Sequence, residues 1–192
     1  GRTDKGVNAW GQSAHFDTKK KIINVKKFIQ SLNFFLNQKL ISITEIKKRN
    51  LNFHARYSAK ERIYEYIILN RIAPPSLDKN KVWHIRKKLD LEIMKKGAKK
   101  LLGTHDFSTF RASNCYSKSP IRTIKKINIK RINKKIVIQF KSKSFLRNQV
   151  RSMVGCLKYL GEKKWNLKKF TEVFKSKKRT LCAPPAPSHG LF

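Results

Sequence analysis

The stretch Arg62-Ile63-Tyr64-Glu65-Tyr66-Ile67-Ile68-Leu69-Asn70 decides the fold. Side chains alternate across a β-strand, so Tyr64, Tyr66 and Ile68 share one face and Ile63, Ile67 and Leu69 the other. Both faces are apolar or aromatic, which predicts a strand inside a sheet. Core packing with hydroxyls at a rim accounts for at least one of the two tyrosines.

Downstream, Pro74-Pro75 breaks the chain and predicts a boundary between two lobes, 1–73 and 74–192. Asp90 is placed to cap a helix whose inward residues are Leu91, Met94, Ala98, Leu101 and Leu102, with Gly103 as its stop. His105-Asp106-Phe107 to Arg111 reads as a short turn or helix. Residues 121–131 and 135–141 read as a hairpin around Asn133-Lys134. A third helix is expected over 144–160, and a fourth after Asn166 with Leu167, Phe170, Val173 and Phe174 packed.

Upstream, Val25, Phe28, Ile29, Leu32, Phe35 and Leu36 fall at helical spacing. Residues 9–17 and 40–48 read as strands. The pattern as a whole predicts an α+β fold, a mostly antiparallel sheet with helices on one side.

The 192 residues carry 46 Lys and Arg against 11 Asp and Glu, a formal net charge of +35. Such a charge repels itself unless it meets a polyanion. Twelve Phe, five Tyr and three Trp supply stacking groups between the cations, which favours a nucleic acid over a membrane surface. The 40% hydrophobic content belongs to a folded chain. No apolar run reaches the roughly 18 residues of a membrane span. Cys115, Cys156 and Cys182 form no CxxC pair, and the five His show no ligand spacing, so a reducing cytoplasm and no structural metal are the default expectation. No phosphate-binding glycine loop is present.

Chemistry concentrates at Gly1-Arg2-Thr3-Asp4-Lys5-Gly6-Val7-Asn8-Ala9. Gly1 and Gly6 allow a tight loop that presents Asp4, a rare acid among cations; the bland alternative is an ordinary turn in which Asp4 bonds its own backbone. On the expected third helix Arg147 and Arg151 are four apart, with Lys158 two turns beyond. Like charges at that spacing repel, so a facing anion is expected. Arg151 borders the apolar stripe and requires a carboxylate or phosphate partner; solvated arginines over a packed helix are the bland reading.

The glycine loop followed by Gly11-Gln12 resembles the signature of the TruA family of tRNA pseudouridine synthases. Four further motifs match in order. They are Phe53-His54-Ala55-Arg56-Tyr57-Ser58-Ala59 with Tyr64-Glu65-Tyr66; His105-Asp106-Phe107 with Phe110-Arg111; Phe145-Leu146-Arg147-Asn148-Gln149-Val150-Arg151-Ser152-Met153-Val154-Gly155; and Ala186-Pro187 with Gly190-Leu191.

The resemblance implies a pseudouridine synthase fold, two lobes flanking a basic catalytic cleft. It implies isomerisation of uridine to pseudouridine in the anticodon stem-loop of tRNA, positions 38–40, by a homodimer without metal or cofactor. By the same resemblance Asp4 is the catalytic carboxylate. Arg2 helps extrude the target nucleotide, and Tyr64 packs on the flipped base and is a candidate for proton transfer. Arg151 pairs with Asp4. Arg56, Arg111 and Arg147 are expected to bind substrate, Arg147 by touching phosphate one turn nearer the helix start than Arg151. Asn8 stands where the family usually has His. Family members also carry several dozen residues before the loop and a final strand, so the chain is expected to be a fragment. A non-catalytic RNA-binding module fits the charge and aromatics without giving Asp4 a task. A carboxylate hydrolase would need a metal cluster that the sequence does not offer.

Overall fold

A computed structural model of the chain describes residues 3–192. It divides into two units, Ser13–Ser58, and residues 3–12 together with Ala59–Phe192.

The first unit is built on helix α1, Val25–Leu36, capped by Asn24, whose side chain accepts from the Lys27 amide at 2.9 Å. The expected strand over 40–48 does not form. Asn33 takes the bonds a neighbouring strand would supply: its Nδ2 donates to the Ile43 carbonyl at 2.9 Å and its Oδ1 accepts from the Ile43 amide at 2.7 Å. Residues 9–17 also stay irregular. The Asn8 amide donates to the Leu191 carbonyl, but no strand among the described residues continues that pairing along 9–17.

The second unit is a five-stranded sheet. Its strands are β1 (Arg62–Asn70), β2 (Trp83–Ile85), β3 (Gly103–Asp106), β4 (Ile121–Ile132) and β5 (Lys135–Ser142), in the order β2-β1-β5-β4-β3. Only β1 and β2 run parallel. β1 spans the stretch read from its alternation and lies inside the sheet, against β5 on one side and β2 on the other. Register puts Tyr64 beside Phe140, Tyr66 beside Ile138 and Ile68 beside Ile136, and Ile129 of β4 lies across from Ile138.

That face carries the core with helices α2 (Leu91–Lys99), α3 (Gln149–Gly161) and α4 (Leu167–Lys175). Val150, Met153, Val154, Leu157 and Leu160 of α3 are all buried, each contributing about 1.5–3 kcal/mol. The opposite side of β4 and β5 presents Lys126, Lys130, Gln139 and Lys141, the alternation expected of a sheet packed on one face.

Buried Asn70 joins β1 to β2 and the segment beyond it. Its Nδ2 donates to the carbonyls of Ile85 and Lys87, and its Oδ1 accepts from the Leu89 amide. The sequence reading missed β2 and β3, both short. It also extended α2, which ends at Lys99; Gly103, with φ of 94°, opens β3 instead. A 3-10 turn, Ser108–Phe110, follows β3.

The largest correction concerns α3, which begins at Gln149 and not near 144. Asn148 adopts a left-handed conformation, φ 61° and ψ 0°, so Arg147 lies in the loop before the helix and not one turn along it. Lys158 does not extend a row of anion-facing cations either, because it pairs with Glu162 on its own helix at 2.8 Å. Cys156 and Cys182, distant in sequence, have their sulfurs 3.5 Å apart.

Candidate active site

Asp4 sits in a turn closed by the Val7 amide donating to the Asp4 carbonyl at 3.1 Å. Gly6 has φ of 78°, a conformation that disfavours other residues, and an added Cβ would come within 2.8 Å of Ser188 Oγ. The loop is pinned from below by Asn8. Its amide donates to the Leu191 carbonyl, and its Nδ2 donates to the His189 carbonyl, each at 2.9 Å. Leu191 and Phe192 pair in turn with Tyr66 and Glu65 of β1. The acid is thereby referenced to the rigid sheet through the 186–192 segment.

Arg151 reaches the same carboxylate from the first turn of α3. Its Nη1 lies 3.4 Å from Asp4 Oδ2, and its side chain is 18% exposed. Nε donates to the Ala186 carbonyl at 2.7 Å, and Nη1 also donates to Asn148 Oδ1 at 3.2 Å. Arg147, 48% exposed, places Nε 3.8 Å from Asp4 Oδ1, too long for a hydrogen bond. Two guanidinium groups therefore face one carboxylate, the half-buried one making the closer contact.

Tyr64 lies on the core face of β1 and meets Phe145 edge to face, ring centroids 5.2 Å apart. Burial pushes its hydroxyl above the usual phenol range; the Arg62 charge opposes this and the Asp4 carboxylate adds to it. Tyr66 is fully buried, and its hydroxyl donates to the Pro187 carbonyl at 2.7 Å. Burial raises that hydroxyl further, against the pull of Arg151. Gly190 allows this approach, since a Cβ there would lie 2.8 Å from the Tyr66 ring.

Of the other residues singled out in the sequence, Arg111 is turned to its own loop. Its Nη2 donates to the carbonyls of Cys115 at 2.5 Å and Ser117 at 2.7 Å. Arg56 belongs to the first unit, its Cζ 5.6 Å from the Tyr57 ring. Arg2 lies outside the described residues. Among the described residues no cluster of three or more His, Cys, Asp or Glu is placed to hold a metal ion, and no helix is long and apolar enough to cross a membrane. Asn148 and Ala186 lie inside the family motifs, and neither residue type points to a task there. A backbone carbonyl acceptor such as Ala186 leaves no mark on side-chain identity.

A loop-held aspartate facing a helix arginine, beside a tyrosine on an α+β sheet, is chemistry for a carboxylate nucleophile or ion stabiliser. The comparisons with known proteins name its class. A family model described as tRNA pseudouridine synthase matches residues 98–192. The protein named tRNA pseudouridine synthase A of Pelagibacter ubique is 67% identical over all 192 residues, which cover 78% of its length. The proteins of that name from Caulobacter vibrioides and Rhodospirillum rubrum are 42% and 38% identical over the whole chain, which covers 77% and 69% of them. The chain belongs to the TruA family of tRNA pseudouridine synthases.

Proposed function

We propose that this chain isomerises uridine to pseudouridine in the anticodon stem-loop of tRNA, at positions 38–40. The reaction breaks the glycosidic bond at N1 of uracil, turns the base, and joins C5 to the sugar; the proton leaves C5 and N1 gains one. The observation that carries the reading is the placement of Asp4 in a turn that closes through Gly6, with Arg151 Nη1 at 3.4 Å. The carboxylate serves as nucleophile or stabilises the ion formed when the bond breaks. Arg151 holds the carboxylate ionised and aimed, since a nearby opposite charge favours the charged form.

The target base must leave the helical stack to reach Asp4, and Tyr64 offers it an aromatic ring to pack on. With its hydroxyl pushed up by burial, Tyr64 stays protonated at neutral pH. It takes part in proton transfer as a relay, its oxygen accepting the C5 proton as its own proton passes on, so that the hydroxyl ends neutral. Arg2, Arg56, Arg111 and Arg147 are assigned to the tRNA, Arg147 through its exposed guanidinium to phosphate. The net charge of +35 supports tRNA backbone binding. The scheme uses no metal and no cofactor, and the enzyme works as a cytoplasmic homodimer.

The test is incubation of the intact protein with unmodified tRNA, followed by chemical labelling of pseudouridine. Label at positions 38–40 is the expected result. Label elsewhere overturns the site assignment, and binding without any label favours the RNA-binding module.

A further inference from the structure

We infer that Asn148 is a positioning residue for the Asp4–Arg151 pair, acting as the fixed neutral acceptor that sets the plane of the Arg151 guanidinium. The inference rests on the catalytic reading of Asp4.

Asn148 stands at the start of α3 with φ 61° and ψ 0°. Residues at helix starts ordinarily have extended backbone and a side chain that accepts from the first-turn amides. Asn148 does neither: its conformation is left-handed and its side chain makes no capping bond. Its carbonyl makes the ordinary helical bond, accepting from the Ser152 amide at 2.9 Å. Loop closure ahead of the helix falls to Gln149, whose Oε1 accepts from the Leu146 amide at 2.8 Å. The carboxamide of Asn148 is thus not engaged in building the helix. Glycine would meet the backbone requirement better than asparagine. What asparagine adds is Oδ1, and Oδ1 accepts from Arg151 Nη1 at 3.2 Å.

A long arginine side chain has many rotamers, and one acceptor does not orient it. Here Nε is held by the Ala186 carbonyl at 2.7 Å and Nη1 by Asn148, two acceptors on different segments. Together they fix the guanidinium plane and leave Nη1 facing Asp4 Oδ2. Both acceptors are neutral, so the charge of Arg151 is left for the one carboxylate. A sparsely populated backbone conformation that serves this geometry fits the pattern of local strain held at functional sites.

The test compares Asn148→Gly, which keeps the left-handed turn and deletes the carboxamide, with Asn148→Asp, which keeps an acceptor but sets a second carboxylate against Asp4. Single-turnover rates at saturating enzyme, tRNA affinity and melting temperature are measured on the intact protein. Asn148→Gly should melt and bind tRNA as the parent does while its rate falls about tenfold, the loss of one hydrogen bond to a charged group. Asn148→Asp should fall further, because the new carboxylate draws Arg151 away from Asp4.

In an Arg151→Lys background, adding Asn148→Gly should change the rate less than about twofold, since no guanidinium plane remains to be set. A parental rate for Asn148→Gly overturns the inference. So does the same tenfold loss in the Arg151→Lys background, or a loss of folding or tRNA affinity large enough to account for the rate. Asp4→Asn is run alongside: if it turns over at the parental rate, the catalytic reading itself has failed, whatever Asn148 does.

Discussion

Arg151 meets Asp4 at 3.4 Å across a separation of 147 residues, and the carbonyl of Ala186 holds the arginine from its other side. Three stretches far apart in sequence therefore converge on one carboxylate. The loop supplies the acid, the first turn of α3 supplies the cation, and the 186–192 segment ties both to β1 through Asn8, Tyr66 and Glu65.

Asp4→Asn is expected to abolish modification and leave tRNA affinity within about twofold. Asparagine has nearly the same shape, keeps the turn and lacks the nucleophilic oxygen. It also changes the net charge by only one on a chain of +35, a small step for RNA binding. Turnover is followed by labelling of pseudouridine, and affinity by filter binding. A variant that still turns over would remove Asp4 from the chemistry.

Arg151→Met and Arg147→Met are expected to separate catalysis from binding. Methionine preserves the packing of the stem and deletes the charge. Breaking a buried pair costs about 3–5 kcal/mol where one partner is left behind, and part of that, felt in the transition state, lowers the rate by roughly a hundredfold. Arg151, 18% exposed and bonded on two further sides, should show this loss at saturating enzyme. Arg147 is 48% exposed and 3.8 Å from the carboxylate, so its loss should weaken affinity and lower the salt slope by about one unit. If Arg151→Met turns over normally once saturated, Arg151 is a phosphate contact.

The elements most legible in the sequence were those with strong periodicity. β1 and α1 fall where alternation and helical spacing put them, and the β4–β5 hairpin turns at Asn133, with φ of 53°. The strands expected over 9–17 and 40–48 failed for a different reason. Alternation describes a strand only when a partner accepts its hydrogen bonds, and partner identity is a tertiary fact. The Asp4–Arg151 pair was expected from the family motifs, with spacing alone leaving a solvated arginine equally open. The start of α3 could not be read, because an apolar stripe runs through Leu146 without revealing the left-handed turn at Asn148. Arg111 illustrates the same limit, since residue type does not disclose that its Nη2 also donates to two carbonyls of its own loop.

Gly155→Ala is expected to damage the site from behind. A Cβ at Gly155 would lie 2.1 Å from the Pro184 carbonyl oxygen, a backbone atom that cannot swing aside. Either α3 or the 182–187 segment must shift, and that segment bonds Arg151 through Ala186 in both directions. Overpacking of this kind costs about 1–3 kcal/mol and should lower the melting temperature by roughly 2–10 °C. The rate should fall with it while tRNA affinity changes less. Thermal melts and single-turnover assays on the same preparation check both, and an unshifted melt would show that the helix and the segment are not in rigid contact.

Glu162 should make part of the stability pH-dependent, with a sign fixed by its surroundings. Its side chain is 7% exposed at the end of α3, with Lys158 Nζ 2.8 Å from one oxygen and Lys164 Nζ 3.4 Å from the other. Burial by itself pushes the carboxyl upward, but the hydrogen bond and charge of Lys158, joined by Lys164, outweigh it and hold the group below its ordinary 4.5. A carboxyl lowered on folding contributes stability in full above its unfolded value, and the contribution drains away as the pH falls through the folded one. The window therefore opens at about pH 4.5 and extends downward. Glu162→Gln should melt at lower urea than the parent at pH 7, where two lysines lose their anion. The gap between the two proteins should then close as the pH is taken below 4.5. Burial pushes the Asp106 carboxyl up, but the Ser108 hydrogen bonds and Lys177 outweigh it and lower the group, so the parent alone would lose stability in acid for more than one reason. The difference between parent and variant isolates Glu162. Urea midpoints at pH 7, 5, 4 and 3 measure it, and a gap that stays constant across that series would mean that Glu162 is not held ionised by its lysines.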